Sequence, residues 1–184
     1  MLKIVGFAGS LREKSYNKMA LRLVLKFVEE AGAEAEFVDL KPLNIPLYDK
    51  DLEEEIKLPE GIKTLRGKIE KADGMIIATP EYNHSIPGVL KNTLDWLSRE
   101  EYYPDILSGK RTAVFGVSSR NFGTVRAQIA FLPIANSLGL YLMPSKTYVA
   151  NSEKVFDQNG NCLDPKVEER LKKFAERFVA FVKA

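Results

Sequence analysis

The sequence contains few of the residues from which metal centres and disulfides are built. Its 184 residues include one cysteine, Cys162, and one histidine, His84. A single cysteine excludes an internal disulfide and is typical of a reducing cytoplasm. Two soft ligands are too few for a structural zinc site. A Ser–His–acid triad would have to use His84, and only the adjacent Ser85 supports one, so we expect neither a metal centre nor a hydrolase.

An excess of one charge and long apolar runs are also missing. The chain has 27 Lys and Arg residues against 25 Asp and Glu residues, a net charge of +2, with no basic cluster. That balance gives no argument for a nucleic-acid partner. No apolar stretch approaches the roughly 20 residues that cross a bilayer, and the N-terminus lacks the charged segment and apolar core of a signal peptide. The composition therefore predicts a cytoplasmic globular protein without a membrane partner.

What the sequence contains instead is an alternation of apolar runs and amphipathic segments. Short apolar runs with β-branched residues predict strands at 3–8, 33–40, 74–79, 111–117 and 140–149. Apolar residues at helical spacing predict helices at 16–31, 62–71, 87–97, 124–138 and 165–183. We expect Pro133 to kink or shorten the fourth helix, and Pro144 to interrupt or precede the last strand. No linker or repeat divides the chain, so 1–184 is predicted to form a single domain.

Five strands alternating with five helices predict a doubly wound α/β fold of three layers. We expect a five-stranded parallel sheet in the flavodoxin-like order 2-1-3-4-5. In that order the carboxyl ends of the first, third and fourth strands are neighbours, and ligands bind beyond them. The loops that follow these three strands are polar and contain Gly or Pro. The sequence therefore predicts that separate loops converge on one crevice.

The segment 40–59 interrupts this rhythm with three prolines and an acidic run at 51–55. We predict an irregular surface loop there. Its length is unusual for a plain connection, which favours a binding or subunit-contact role. A tolerated surface excursion explains the same length, and the sequence leaves both interpretations open.

The loop after the first strand carries hydrogen-bond donors just before a long helix. These are Ser10, Arg12, Ser15 and Asn17. Helix N-termini bind anions through their unpaired N–H groups and the helix dipole, and this set of donors suits a terminal phosphate. Neither the dinucleotide fingerprint nor the nucleoside triphosphatase loop is present. Without further information, Ser15 is equally well explained as a helix cap and Asn17 as a surface residue.

The loop after the third strand begins Pro80-Glu-Tyr-Asn. Together with Gly-Ser-Leu-Arg-Glu-Lys-Ser-Tyr-Asn at 9–17, it resembles the NADPH-dependent FMN reductase family, and the resemblance extends over residues 4 to 128. It implies that the FMN phosphate is held by Ser10, Arg12, Ser15 and Asn17, with Tyr16 beside it. It also implies that the flavin is lined by Pro80, Glu81, Tyr82 and Asn83. The backbone amides of this segment face the ring, and the Tyr82 side chain offers an aromatic surface.

The loop after the fourth strand departs from this family. The family places two adjacent glycines where this chain has Asn121-Phe122-Gly123. By the resemblance, Ser118, Ser119 and Gly123 remain flavin neighbours. Phe122 is expected to narrow the space over the ring.

The resemblance implies an FMN-dependent oxidoreductase. NADPH or NADH delivers a hydride to FMN, and the electrons pass to a small acceptor such as a flavin, a quinone, an azo dye or a metal oxyanion. The cofactor carries the chemistry, so we name no catalytic side chain. A homodimer or homotetramer is also implied. The sequence selects neither the acceptor, nor the nicotinamide cofactor, nor the size of the oligomer.

Two other functional classes fit a flavin site. An electron-carrier flavodoxin would be strongly acidic, which this chain is not. A flavin-binding interaction module would bind FMN without turnover. Outside the motifs, we expect Trp96 to lie in the core or in a subunit interface, and Lys91 and Asp95 on a solvated helix face. His84 is interpreted as a surface residue or as a substrate contact.

Overall fold

The computed structural model describes residues 1–99, 101 and 103–184 of the chain. Its strands are β1 (Lys3–Ala8), β2 (Glu34–Val38), β3 (Gly74–Ala78), β4 (Arg111–Val117), β5 (Tyr141–Leu142) and β6 (Thr147–Val149). Its helices are α1 (Tyr16–Glu30), α2 (Lys50–Ile56), α3 (Glu60–Glu70), α4 (Gly88–Leu97), α5 (Val125–Ser137), α6 (Ser152–Val155) and α7 (Pro165–Lys183). None of the helices in the described part of the chain is both long and apolar enough to span a membrane.

The strands form one parallel sheet in the order β2-β1-β3-β4-β5, with β6 also paired to β4. The predicted doubly wound order 2-1-3-4-5 is therefore confirmed. Side chains of the central strands alternate between two apolar clusters. In β1, for example, Ile4 and Ala8 belong to the cluster that contains residues of α1 and α7, whereas Val5 and Phe7 belong to the cluster that contains residues of α3, α4 and α5. Because both faces of the sheet are covered, these strands are continuous apolar runs in the sequence.

The far edge of the sheet corrects the predicted number of strands from five to six. The single strand expected at 140–149 is two short strands. β5 pairs with Arg111 and Thr112 at the start of β4, and β6 pairs with the end of β4 from Phe115. Pro144 lies between the two pieces and has no N–H with which to continue a ladder, so the predicted interruption is confirmed.

The segment 40–59 is not wholly irregular as predicted, because it contains α2. Asp49 caps this helix by accepting a hydrogen bond from the N–H of Asp51 (2.8 Å). Acidic residues stabilise the first turn of a helix, so the acidic run that indicated a loop belongs to α2 instead. The segment packs on the core: Tyr48 meets Trp96 edge to face, and the Trp96 indole donates to the carbonyl oxygen of Pro46 (2.9 Å). Trp96 is fully buried in the core.

Helix α5 runs through Pro133 from Val125 to Ser137, so the predicted shortening is wrong. A proline inside a helix leaves the carbonyl four residues earlier without a backbone donor. That residue is Ile129, whose side chain is 54% exposed, so this side of the helix faces water.

Candidate functional site

The carboxyl ends of β1, β3 and β4 open into two adjoining clefts. The inner cleft, of about 170 Å³, is lined by Ser10, Arg12, Ser15, Tyr16, Asn17, Pro80, Glu81, Tyr82, Val117, Ser118, Ser119, Ser152 and Glu153. The outer cleft, of about 550 Å³, is lined by Glu81, Asn83, His84, Ser118, Arg120, Asn121, Phe122, Gly123 and Arg126. Glu81 and Ser118 belong to both. Every residue that the sequence nominated for the flavin lines one cleft or the other. A separate cavity of about 450 Å³, at the amino ends of β1 and β2, contains none of them.

The N-terminus of α1 faces the inner cleft without a side-chain cap. Ser15 is the N-cap residue, but its side chain makes no capping hydrogen bond, and the first turn has no acidic residue. In contrast, carboxylates of Asp49 and Asp164 cap α2 and α7. The N–H groups of the first turn of α1 therefore lack partners within the described residues. Such groups are the donors that bind a phosphate at a helix N-terminus.

Hydroxyl groups and one guanidinium surround these donors. Ser10 and Ser15 are each 4% exposed, and the Ser10 hydroxyl accepts a weak hydrogen bond from the Arg12 N–H (3.4 Å). The Arg12 guanidinium lies 5.8 Å from the centre of the Tyr16 ring, and no carboxylate among the described residues pairs with it. Its charge is available for an anion. The residues at this end of the inner cleft thus fit the phosphate of FMN.

Asn17 lines the inner cleft, where the resemblance expects it to contact the phosphate, and its side chain also joins two elements of the fold. Its side-chain amide donates to the carbonyl oxygen of Val117 (2.8 Å) and accepts from the Val117 N–H (2.9 Å). The residue is 3% exposed. Asn17 therefore clamps the first turn of α1 to the end of β4. An amide carries two N–H donors, so one of them is left for a ligand.

The loop after β3 forms a tight two-residue turn. The backbones of Tyr82 and Ser85 exchange hydrogen bonds (3.1 and 3.0 Å), and between them Asn83 and His84 have φ of +50° and +65°. Positive φ at both central positions is typical of a type I′ turn. The turn occupies the N–H of Tyr82. The N–H groups of Glu81, Asn83 and His84 make no hydrogen bond within the described chain, so they are free to face a flavin ring.

The Glu81 side chain is hydrogen-bonded to the N-terminus of α5 and is not free to contact a ligand. Its carboxylate accepts from the N–H groups of Arg126 (2.9 Å) and Ala127 (3.2 Å), and it pairs with the Arg126 guanidinium (3.3 Å). This bridge caps α5 and fixes the loop after β3 against the loop after β4. Any contact of Glu81 with the flavin therefore falls to its backbone.

Ser152 is a residue of the inner cleft that sequence reasoning missed. The residue is 1% exposed, and its Oγ has no hydrogen-bond partner among the described residues. Its N–H donates to the carbonyl oxygen of Ser118 (3.1 Å), which holds α6 beside the cleft. Ser152 follows the carboxyl end of β6 closely, so the rule that located the other loops would have found it.

The remaining nominated residues divide between the cleft and the surface. His84 lines the outer cleft, and Tyr82 is 55% exposed. Lys91 and Asp95 form an ion pair (2.6 Å) with partly exposed side chains on α4, as expected for a solvated helix face. Arg120 and Arg126 line the outer cleft, although the resemblance assigns neither of them a role at the flavin. Phe122, which is expected to narrow the space over the ring, lines the same cleft.

Comparison with known proteins gives a consistent family. A sequence model described as NADPH-dependent FMN reductase matches residues 2–154. An NAD(P)H-dependent FMN reductase of Pseudomonas aeruginosa is 37% identical over 171 residues, covering 92% of this chain and 89% of that protein. A 2-hydroxy-1,4-benzoquinone reductase of a Burkholderia species is 36% identical over 183 residues, covering 99% and 97%. The solved structure of a flavoenzyme NAD(P)H:(acceptor) oxidoreductase from Paracoccus denitrificans is similar with a TM-score of 0.84 at 29% identity, covering 100% and 98%.

Proposed function

The chain belongs to the NADPH-dependent FMN reductase family, and from this premise we propose that it reduces quinones with electrons from NAD(P)H. It is an FMN-dependent oxidoreductase, with NAD(P)H as the electron donor. Bound FMN supplies the chemistry, since its ring accepts a hydride and passes two electrons on. The relative from Burkholderia is named for a quinone, which supports a quinone as the acceptor.

The observation that carries the placement of FMN is the uncapped N-terminus of α1. Its unpaired N–H groups, the hydroxyls of Ser10 and Ser15, and the unpaired Arg12 guanidinium all line one cleft. In our proposal they hold the phosphate together with the remaining N–H of the Asn17 amide, and Tyr16 lies beside it. The other Asn17 hydrogen bonds hold α1 against the end of β4. Ser152 contributes a further hydroxyl.

The ring end of the flavin is assigned to the two loops that share Glu81 and Ser118. Pro80 and the free N–H groups of Glu81 and Asn83 orient the ring from one side. Ser118, Ser119 and Gly123 border it from the other, as the adjoining clefts support. These groups bind and orient, and no side chain is assigned a proton transfer.

We also propose that the whole chain is one FMN-binding domain, that it acts in the cytoplasm, and that copies of it associate as a homodimer or homotetramer. Large apolar side chains exposed around the clefts and on α5 support association. They are Tyr82, Ile129 and Leu132.

The experiment is steady-state oxidation of NADPH and of NADH by the FMN-loaded protein with a quinone as the acceptor. We expect turnover that depends on both substrates, and a visible flavin spectrum whose pigment is released by heat as FMN. A protein that carries FMN but gives no turnover with either nicotinamide would be a carrier or a binding module, and the proposal would be overturned.

A further inference from the structure

The outer cleft has an excess of positive charge. Two guanidinium groups, of Arg120 and Arg126, line it, and Glu81 is its one carboxylate. The Glu81 carboxylate is already paired with Arg126. Arg120 is exposed, and within residues 1–99, 101 and 103–184 no hydrogen bond or ion pair engages its guanidinium. The charge of Arg120 is therefore uncompensated in this cleft.

An exposed aromatic ring lies in the same cleft. Phe122 is 65% exposed, and the Arg126 guanidinium lies 5.1 Å from the centre of its ring. A flat aromatic ring on the wall of a cleft provides a stacking surface for another flat ring. Phe122 thus offers an apolar contact in the cleft that Arg120 also lines.

Arg120 and Phe122 are held on one short turn. The N–H of Arg120 donates to the Ser118 hydroxyl (3.0 Å), and the N–H of Gly123 donates to the carbonyl oxygen of Arg120 (3.3 Å). Gly123 has φ of +60°, and a Cβ there would lie 3.1 Å from the Cβ of Tyr148. Glycine therefore lets the turn close against β6, and this turn carries both Arg120 and Phe122 into the outer cleft.

We propose that Arg120 and Phe122 select an acceptor that is planar and carries an anionic group. The acceptor ring stacks on Phe122, and its sulfonate, carboxylate or ionised hydroxyl group pairs with Arg120. This inference rests on the proposed quinone reductase function. The reaction is NAD(P)H + H⁺ + quinone → NAD(P)⁺ + hydroquinone. The quinone gains two electrons and two protons, NAD(P)H is oxidised, and the anionic group is unchanged.

The test compares 1,4-naphthoquinone with 1,4-naphthoquinone-2-sulfonate as acceptors for the FMN-loaded protein. We expect Arg120→Gln to lower kcat/KM about tenfold more for the sulfonate than for the neutral quinone, equivalent to about 1.4 kcal/mol. Because each acceptor is compared with itself in the two proteins, its own reduction potential cancels. Arg120→Lys should recover part of the loss. Added salt should reduce the preference of the wild type, since it screens exposed charge.

Two control variants separate charge from fold and from stacking. Arg177→Gln removes an exposed arginine of α7 that lines neither cleft, and it should leave the ratio between the two acceptors unchanged. Phe122→Ala should lower kcat/KM for both acceptors by similar factors.

The outcomes distinguish this inference from the proposed function. Equal losses for both quinones in Arg120→Gln would overturn the inference while the reductase function stands. A raised KM for NADH or NADPH, with the acceptor ratio unchanged, would assign Arg120 to the electron donor and would also overturn it. No turnover of either quinone by the wild type would refute the proposed function itself.

Discussion

At the inner cleft, unused hydrogen-bonding groups lie beside groups that are already engaged. The N–H groups of the first turn of α1, the Arg12 guanidinium and the Ser152 hydroxyl have no partner among the described residues. The side chains of Asn17 and Glu81 are committed to Val117 and to α5. A buried donor without a partner is costly, and a ligand that pairs with it recovers that cost. Removal of one of these free groups should therefore weaken the binding of the ligand.

Arg12→Ala should weaken the binding of FMN about tenfold to a hundredfold more than the binding of riboflavin. The reason is that a hydrogen bond to a charged group contributes about 1.5–3 kcal/mol, and riboflavin lacks the phosphate. Fluorescence titration of the apoprotein with each flavin measures both dissociation constants. Arg177→Ala is the matched control and should weaken neither ligand. Equal losses for the two flavins in Arg12→Ala would count against the phosphate assignment.

Ser152→Ala should have effects of opposite sign on the empty and the loaded protein. The hydroxyl has no partner in the protein, so its removal should leave the unfolding free energy of the apoprotein unchanged or raise it by up to about 1 kcal/mol. Its loss should weaken FMN about fivefold, because a bound ligand loses one hydrogen bond. Urea unfolding and flavin titration measure the two quantities. A destabilised apoprotein with unchanged FMN affinity would assign Ser152 to the fold alone.

At the scale of elements, the helices differ in whether a carboxylate of the protein caps their N-terminus. Carboxylates cap α2, α5 and α7, and α1 has none. The cap of α5 comes from Glu81, which lies 45 residues earlier in the chain than Arg126. Its loop and α5 therefore form one unit on which the outer cleft is built.

Glu81→Ala should lower the unfolding free energy by about 1–2 kcal/mol, the usual cost of losing a helix cap. Glu81→Gln should lower the unfolding free energy by less. One acceptor oxygen remains for the N–H groups of α5, and only the charge opposite Arg126 is lost. Glu153→Ala, which removes an exposed carboxylate from the same cleft, is the matched control and should change stability by less than about 0.5 kcal/mol. Urea denaturation of the three variants checks the order. A Glu81→Ala protein as stable as the wild type would refute the capping role.

The elements differ in how well the sequence predicts them, and the reason is burial. Strands β1, β3 and β4 are recognisable because both of their faces are covered, so nearly every residue is apolar. Helix α2 is obscured because its acidic residues carry little apolar periodicity and it buries Glu53, which accepts a hydrogen bond from Tyr48. The rule on strand ends predicted that the loops after β1, β3 and β4 converge, and residues of these loops do line adjoining clefts. Long-range side-chain partners, such as Asn17 with Val117 100 residues away, leave no local pattern to read.

At the scale of the whole molecule, one partly buried ion pair connects the first helix to the end of β2. The Lys18 ammonium lies 2.7 Å from the Asp39 carboxylate, and their side chains are 6% and 32% exposed. Burial disfavours the charged form of Asp39. The hydrogen bonds from Lys18 and from the Lys41 N–H, with the charges of Lys18 and Arg22, outweigh that effect and hold the pKa of Asp39 below its usual 3.8.

Asp39→Asn should lower the unfolding free energy at pH 7 by about 1–2 kcal/mol. This is below the 3–5 kcal/mol of a fully buried pair, because Asp39 is a third exposed. A depressed pKa stabilises the fold above pH 3.8, and the contribution is lost as the pH falls through the folded-state value. The difference in unfolding free energy between variant and wild type should therefore shrink as the pH is lowered below 4. Urea unfolding at several pH values measures it. Glu169→Gln, which breaks the exposed pair with Lys173, is the control and should differ little from the wild type in unfolding free energy at any pH. A difference for Asp39→Asn that stays constant with pH would refute the link between the Asp39 pKa and stability.

The broken outer strand has a consequence for how copies of this chain can meet. An unbroken edge strand offers a row of free backbone groups on which a second sheet can grow, the geometry that leads to aggregation. Here that edge consists of two fragments of two and three residues on either side of Pro144. The opposite edge, β2, carries exposed Glu34 and Glu36, which form ion pairs with Lys3 and Lys68. Neither edge of the sheet therefore offers a long, uncharged strand with which a strand of another molecule could pair. If copies of this chain associate as proposed, the contact should therefore be made by side-chain surfaces and not by extension of the sheet.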